Sequence, residues 1–272
     1  MYPSECAEQP GGLILVTPTG EFFMALCFLV LAVCTGIFAL MGHKHPWEKR
    51  SFFLITAFVT LATGLSYFAM LGGQGWIIAP NCRQVFFAKY MAWGVSASLV
   101  VVDLAFIAGV PLDLMWSSVG FTLAMAFTNW MASVSEGNVK WMWFVFTLGA
   151  MSTVLGLIFS KFRMSADLHH VSVSELFGKL SWLTLICWCL YPFVWVIGTG
   201  SNVVTPNFET MLIMVLDICS YGVFGFVLLM SHEALDRSSN SYGYRNLGDP
   251  QDLPPEPEYQ RSVRESTVVM TQ

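Results

Sequence analysis

Residues 206–226 read PNFETMLIMVLDICSYGVFGF. The stretch is apolar over a length that a bilayer requires, since about 20 residues of helix cross the hydrocarbon core. Near its middle stands a carboxylate, Asp217. A charge at that depth is costly and needs partners supplied by other helices. One helical turn further on, on the same face, is Tyr221.

Working outward, the whole chain has the same character. Of its 272 residues 55% are hydrophobic and 11% charged, with mean hydropathy +0.61 and net charge −5, which excludes a soluble domain of this length. Seven stretches are long and apolar enough to span: 21–41, 52–71, 85–110, 114–133, 141–162, 176–197 and 208–230. The expectation is an all-α membrane protein, a seven-transmembrane-helix bundle with the lipid bilayer as its first partner. Residues 1–19 lack the basic start, apolar run and cleavage site of a signal peptide, so the first helix is expected to remain. Basic residues favour the cytoplasmic side. Placing the N-terminus outside puts Lys44, Lys49, Arg50, Lys161, Arg163 and Lys179 inside, with Arg83, Lys89 and Lys140 left at the outer side. The N-terminus is therefore expected outside and the C-terminus in the cytoplasm.

Three regions follow: an extracellular segment over 1–20, the membrane domain over 21–232, and a tail over 233–272. The tail is polar and rich in proline and acid, as in NLGDPQDLPPEPEYQ, and reads as disordered. Of seven cysteines, Cys27, Cys34, Cys187, Cys189 and Cys219 lie inside apolar stretches and read as small packing residues. Cys6 and Cys82 could meet outside, but no spacing joins them, and a disulfide framework is not expected. His169 and His170 read as solvated loop residues. No phosphate-cradling loop, metal-spaced Cys/His cluster or basic stripe is present, which speaks against metal or nucleic-acid partners and against an enzyme.

Four separated motifs carry a resemblance. FFLITAFVTLATGLSYFAMLGG (52–73), KYMAWGVSASLVVVDLAF (89–106), WCLYPFVWVIG (188–198) and the opening stretch resemble, in order, the microbial (type 1) rhodopsins, retinal-binding pumps and sensors. The resemblance implies an aromatic pocket for a polyene made by Trp93, Ser96, Trp188, Tyr191, Pro192 and Trp195. Trp188 and Trp195 are seven positions apart and so share a helix face. It implies that Asp217 accepts hydrogen bonds from Tyr67 and Tyr191 and pairs with Lys89 through water. Asp103 and Thr56 match the pumps' proton donor and its hydrogen-bond partner, and Glu209 matches one carboxylate of the proton-release pair.

The departures bear on function. The family holds retinal as a Schiff base on a lysine at the position of Tyr221, and a phenol cannot form an imine with an aldehyde. Ala92 stands where the pumps carry the counter-ion, and Gly200 where they carry the second release carboxylate. Loss of one cation and one anion together keeps the buried charge balanced, as the cost of an unpaired charge demands. Lysine-less opsins resembling this chain occur among the fungal opsin-related proteins, including heat-shock-type proteins of the plasma membrane. The resemblance thus implies a non-photochemical accessory or stress-linked regulatory protein, with another membrane protein or a second copy as partner and no covalent cofactor. One alternative is a non-covalent binder of retinal, a carotenoid or another apolar ligand, provided Tyr221 and Met91 do not fill the pocket. A third is a light-independent ion pathway through Lys89, Asp217 and Asp103.

Overall fold

An apolar run of bilayer length can satisfy its backbone only internally, and each such run in this chain is helical. A computed structural model describes residues 6, 12–45, 50–231 and 234–236. Its helices are α1 (Pro18–His43), α2 (Ser51–Leu71), α3 (Phe87–Ala108), α4 (Leu112–Val134), α5 (Gly137–Ala166), α6 (Val171–Gly200) and α7 (Pro206–Met230). All but α4 are apolar enough to be recognised as spans by composition alone. At 23 residues α4 is long enough, and several of its hydroxyls are tied down within the helix: Ser118, Thr122 and Ser133 each donate to a carbonyl four residues back. Apart from residues 234–236, the expected tail lies outside the described residues.

Local chemistry sets the helix ends. Pro206 opens α7, where its missing N–H costs nothing, and the Thr205 hydroxyl accepts from Phe208 N at 3.4 Å. His170, exposed as expected, also caps α6 by accepting from Ser172 N. Gly109 closes α3 with φ +63°, a conformation that favours glycine, and a methyl group there would also push the His169 imidazole aside. Three helices contain a wide π turn: Ile158–Phe162 in α5, Val196–Gly200 in α6 and Ile218–Val223 in α7. Such turns concentrate at functional positions. The one in α7 starts immediately after Asp217 and contains Tyr221.

The reading of 85–110 as one span needs correction. Val85 and Phe86 belong to a short antiparallel hairpin, β1 (Trp76–Ile78) and β2 (Gln84–Phe86), with Trp76 opposite Phe86. The hairpin recruits the segment before α1: Ile14 N donates to Cys82 O, Gln84 N donates to Ile14 O, and Val16 N donates to Gln84 Oε1, each at 2.9 Å. A disulfide between Cys6 and Cys82 completes the attachment, contrary to the sequence expectation. The other five cysteines are free thiols. Denatured without reductant, the protein should therefore titrate five thiols, and seven only after reduction; seven without reductant would contradict the bridge.

Around this cap the bundle buries α3 and α7 most deeply and leaves α1 and α5 most open to their surroundings. One apolar core runs the length of the bundle, through Phe38, Val101, Leu104, Phe162, Phe177, Phe224 and Leu228 among others. A smaller one under the hairpin joins Met24, Leu31, Tyr67 and Met214.

Candidate functional site

Asp217, on the most buried part of α7, has its carboxylate occupied by three neutral donors. The Tyr67 hydroxyl (α2) donates to Oδ2 at 2.7 Å, while the Tyr191 hydroxyl (α6) and Trp93 Nε1 (α3) donate to Oδ1 at 2.6 and 3.1 Å. Four helices thus meet on one side chain. Tyr67 and Tyr191 were the donors expected from sequence; the indole was missed, because Trp93 reads as a pocket wall and its polar edge was ignored. Its ring does face Tyr191, with centroids 4.9 Å apart.

The direct ion-pair partner of Lys89 is Glu209, a contact the sequence reading did not anticipate. Its Nζ donates to Glu209 Oε1 at 3.2 Å, and it lies over the rings of Tyr90 and Trp93. The same carboxylate receives Arg83, whose Nη2 donates to Oε2 at 2.7 Å, and the Thr199 hydroxyl at 2.8 Å. Arg83 is 1% exposed. It comes from the hairpin, one residue after the disulfide, and its Nη1 donates to Val204 O at 2.9 Å and Asn202 Oδ1 at 3.3 Å. A methyl group at Gly198 would sit 2.5 Å from Glu209 Oε2, so the glycine lets α6 admit this cluster. Next to it, Lys140 donates to Gly200 O at 3.2 Å. The direct contacts thus put two cations on Glu209 and three neutral donors on Asp217.

Further along α3, Ala92 is buried and offers no charge. Asp103 is fully buried; Thr56 donates to its Oδ2 at 3.3 Å but donates more closely to Phe52 O at 2.7 Å, and Asp103 Oδ1 has no partner among the described residues. Ser96, expected at the pocket, bonds Thr63 Oγ1 at 2.8 Å and Val59 O at 3.0 Å, facing α2.

A small cavity of about 50 Å³ lies beside Asp217. Trp93, Trp188, Tyr191, Pro192 and Tyr221 line it, as do Asn129 of α4 and Thr147 of α5. No lysine is among its lining residues. Trp195 was expected here and is elsewhere: its ring stacks on Phe144 at 4.5 Å and its Nε1 donates to Ser133 Oγ at 2.7 Å. Met91 is 68% exposed and fills nothing, whereas Tyr221 is 2% exposed and forms part of the wall.

Comparison with known proteins gives a consistent placement. The family model described as bacteriorhodopsin-like protein matches residues 19–235. The opsin-like protein carO of Fusarium fujikuroi is 26% identical over 245 residues, covering 84% of this chain and 78% of its own. Opsin-1 of Neurospora crassa is 29% identical over 242 residues, covering 81% and 79%. Among solved structures, a light-driven proton pump, LR (Mac) from Leptosphaeria maculans, superimposes with TM-score 0.79 at 26% identity, covering 83% of this chain and 99% of that one. With six helices apolar enough to span, a seventh, α4, of spanning length, and a family match over the whole bundle, the chain is an integral membrane protein and belongs to the bacteriorhodopsin-like family.

Proposed function

We propose that this chain is an opsin-like membrane protein that works without a covalent chromophore, as an accessory or stress-linked regulator of other membrane proteins, in the plasma membrane. The observation that carries this reading is the surrounding of Asp217. Both its oxygens are engaged by Tyr67, Trp93 and Tyr191, and one turn on stands Tyr221, in a cavity with no lysine in its lining. An imine requires a primary amine, and Lys89 is held at Glu209 instead. The partner is another membrane protein or a second copy of the chain. The test is direct: purified with and without all-trans retinal, the protein should give the spectrum of the free aldehyde only. A visible band that bleaches under hydroxylamine would overturn the reading.

Restoring the chemistry gives a second test. Tyr221→Lys places an amine in the cavity, but the neighbouring Asp217 already accepts three hydrogen bonds that spread its charge, and Ala92 contributes none. Retinal bound to this variant should absorb in the near ultraviolet at neutral pH, as an unprotonated imine. Adding Ala92→Asp should move the band into the visible, because a nearby carboxylate favours the cation. A stable visible pigment from the single variant would show that Asp217 alone suffices, contrary to this account.

A second reading rests on the aromatic lining: with the surrounding side chains moved apart, the small cavity would take an apolar ligand, retinal or a carotenoid included, held without a covalent bond. Quenching of tryptophan fluorescence on ligand addition, absent with a Trp188→Leu variant, is its expected sign.

A further inference from the structure

We propose that the outward face of α5 holds a sterol of the surrounding membrane, with Asn138 at its hydroxyl and Trp141, Met142, Val145 and Phe146 along its rings. These five side chains line a groove of about 480 Å³ that opens away from the bundle and shares no residue with the cavity beside Asp217. Met142, Val145 and Phe146 are 60%, 64% and 59% exposed, on one of the two helices that the bundle covers least, so in a membrane this face meets lipid. The groove runs inward from the membrane boundary. Asn138 is on the first turn of α5, between Glu136 at its N-cap and Lys140, charged residues that mark the polar level. Phe146 lies eight residues further on, about 12 Å deeper along the axis.

The walls are braced from behind. Trp141 meets Phe144 and Trp195 edge-on, with ring centroids 6.0 and 5.9 Å apart, and Phe146 meets Trp143 at 6.0 Å. Such a surface suits a rigid fused-ring partner, because laying a ring system on it orders little else, whereas an acyl chain must give up rotamer freedom to lie in the same place. The polar end discriminates as well. None of the lining residues is charged, and Asn138 supplies a neutral amide, which both donates and accepts and so matches a single hydroxyl. An anionic lipid head group asks for a cation instead, and the nearest in sequence, Lys140, donates to Gly200 O. The order Lys140, Phe146, Leu148, from boundary to interior, also follows the short pattern of basic, aromatic and aliphatic residues proposed for sterol contact. That pattern is weak alone and takes its weight here from the groove.

The full-length protein is reconstituted in phosphatidylcholine vesicles containing a cholesterol analogue with a diazirine on its tail, irradiated, and mapped by mass spectrometry of its peptides. The exposed side of α1, through Leu29, Val33 and Leu40, is the internal reference for contact with bulk lipid. Labelling within 138–146 should exceed that reference about 5-fold and fall to it when excess unlabelled cholesterol is added. Asn138→Leu and Phe146→Ala should each lower the groove signal about 5-fold, the first through a lost hydrogen bond and the second through a lost wall. Both side chains face outward, and an unchanged signal from α1 certifies that each variant is folded and inserted. Even labelling of α1 and α5, or a groove signal that unlabelled cholesterol does not displace, overturns the proposal and leaves sterol as bulk lipid only. A displaceable signal that survives in either variant also overturns it, placing the recognition on other residues.

Discussion

Arg83→Met is expected to lower the thermal midpoint of the purified protein by roughly 10 °C, a loss of about 3–5 kcal/mol. The side chain is 1% exposed and its guanidinium is spread over Glu209, Val204 O and Asn202. Removing it leaves the Glu209 carboxylate, itself buried, with Lys89 and Thr199 as its remaining partners. Lys89 still neutralises Glu209, so the loss comes from the hydrogen bonds and packing of the buried guanidinium. Arg83 also fastens the turn carrying Cys82 to the α6–α7 connection, so α7 loses its tie to the hairpin. Lys140→Met is the control: that lysine donates to one carbonyl, at Gly200, and is less buried, so its removal should cost under about 1 kcal/mol. Pairing Arg83→Met with Glu209→Gln separates ion-pair energy from packing, since the double variant should lose less than the sum of the singles. A shift of under about 2 °C for Arg83→Met, or strict additivity with Glu209→Gln, would show that the cluster is decorative.

What could be read from the sequence, and what could not, divides along a physical line. The helices were legible because bilayer length and apolarity are local properties, visible in 206–226 without knowledge of any other segment. That Asp217 must be bonded was legible for the same reason, since a carboxylate in such a run needs partners; which side chains bond it, Tyr67 and Tyr191, came only from the family resemblance. The cluster at Glu209 was not legible. Its decisive cation lies 126 positions away in a three-residue strand region, and nothing local distinguishes Arg83 from a solvated loop residue. The Cys6–Cys82 bridge spans 76 positions and escaped for the same reason. Trp195 shows a different limit. Sharing a helix face with Trp188 fixes its direction but not its depth: seven residues add about 10 Å along the axis. That places the indole behind the wall, stacked on the cavity-lining Phe144 and bonded to Ser133.

The second large effect is expected at Asp217, and it decides whether the centre of the bundle is a relic of chemistry or a structural device. Asp217→Ala should cost about 3 kcal/mol or more, because it strands the hydroxyls of Tyr67 and Tyr191 and the indole N–H of Trp93 in the interior at once. Individual side-chain hydrogen bonds between membrane helices are worth about 0.6 kcal/mol on average and up to about 1.7. Here three converge on one anion, where charge assistance strengthens each. Relief from desolvating the carboxylate offsets part of the loss, which is why the expected total stays near the sum of three strong bonds and not above it. Asp217→Asn keeps an acceptor in place and should cost about 1 kcal/mol, and Tyr67→Phe, which removes one donor with little change of shape, about the same. The ordering Ala well above Asn and Phe, measured as thermal midpoints in one detergent, is the signature of a carboxylate that joins α2, α3, α6 and α7. Were Asp217→Ala as stable as the native protein, the aspartate would have no structural task, and a functional one such as ion passage would have to account for an acid buried at that depth.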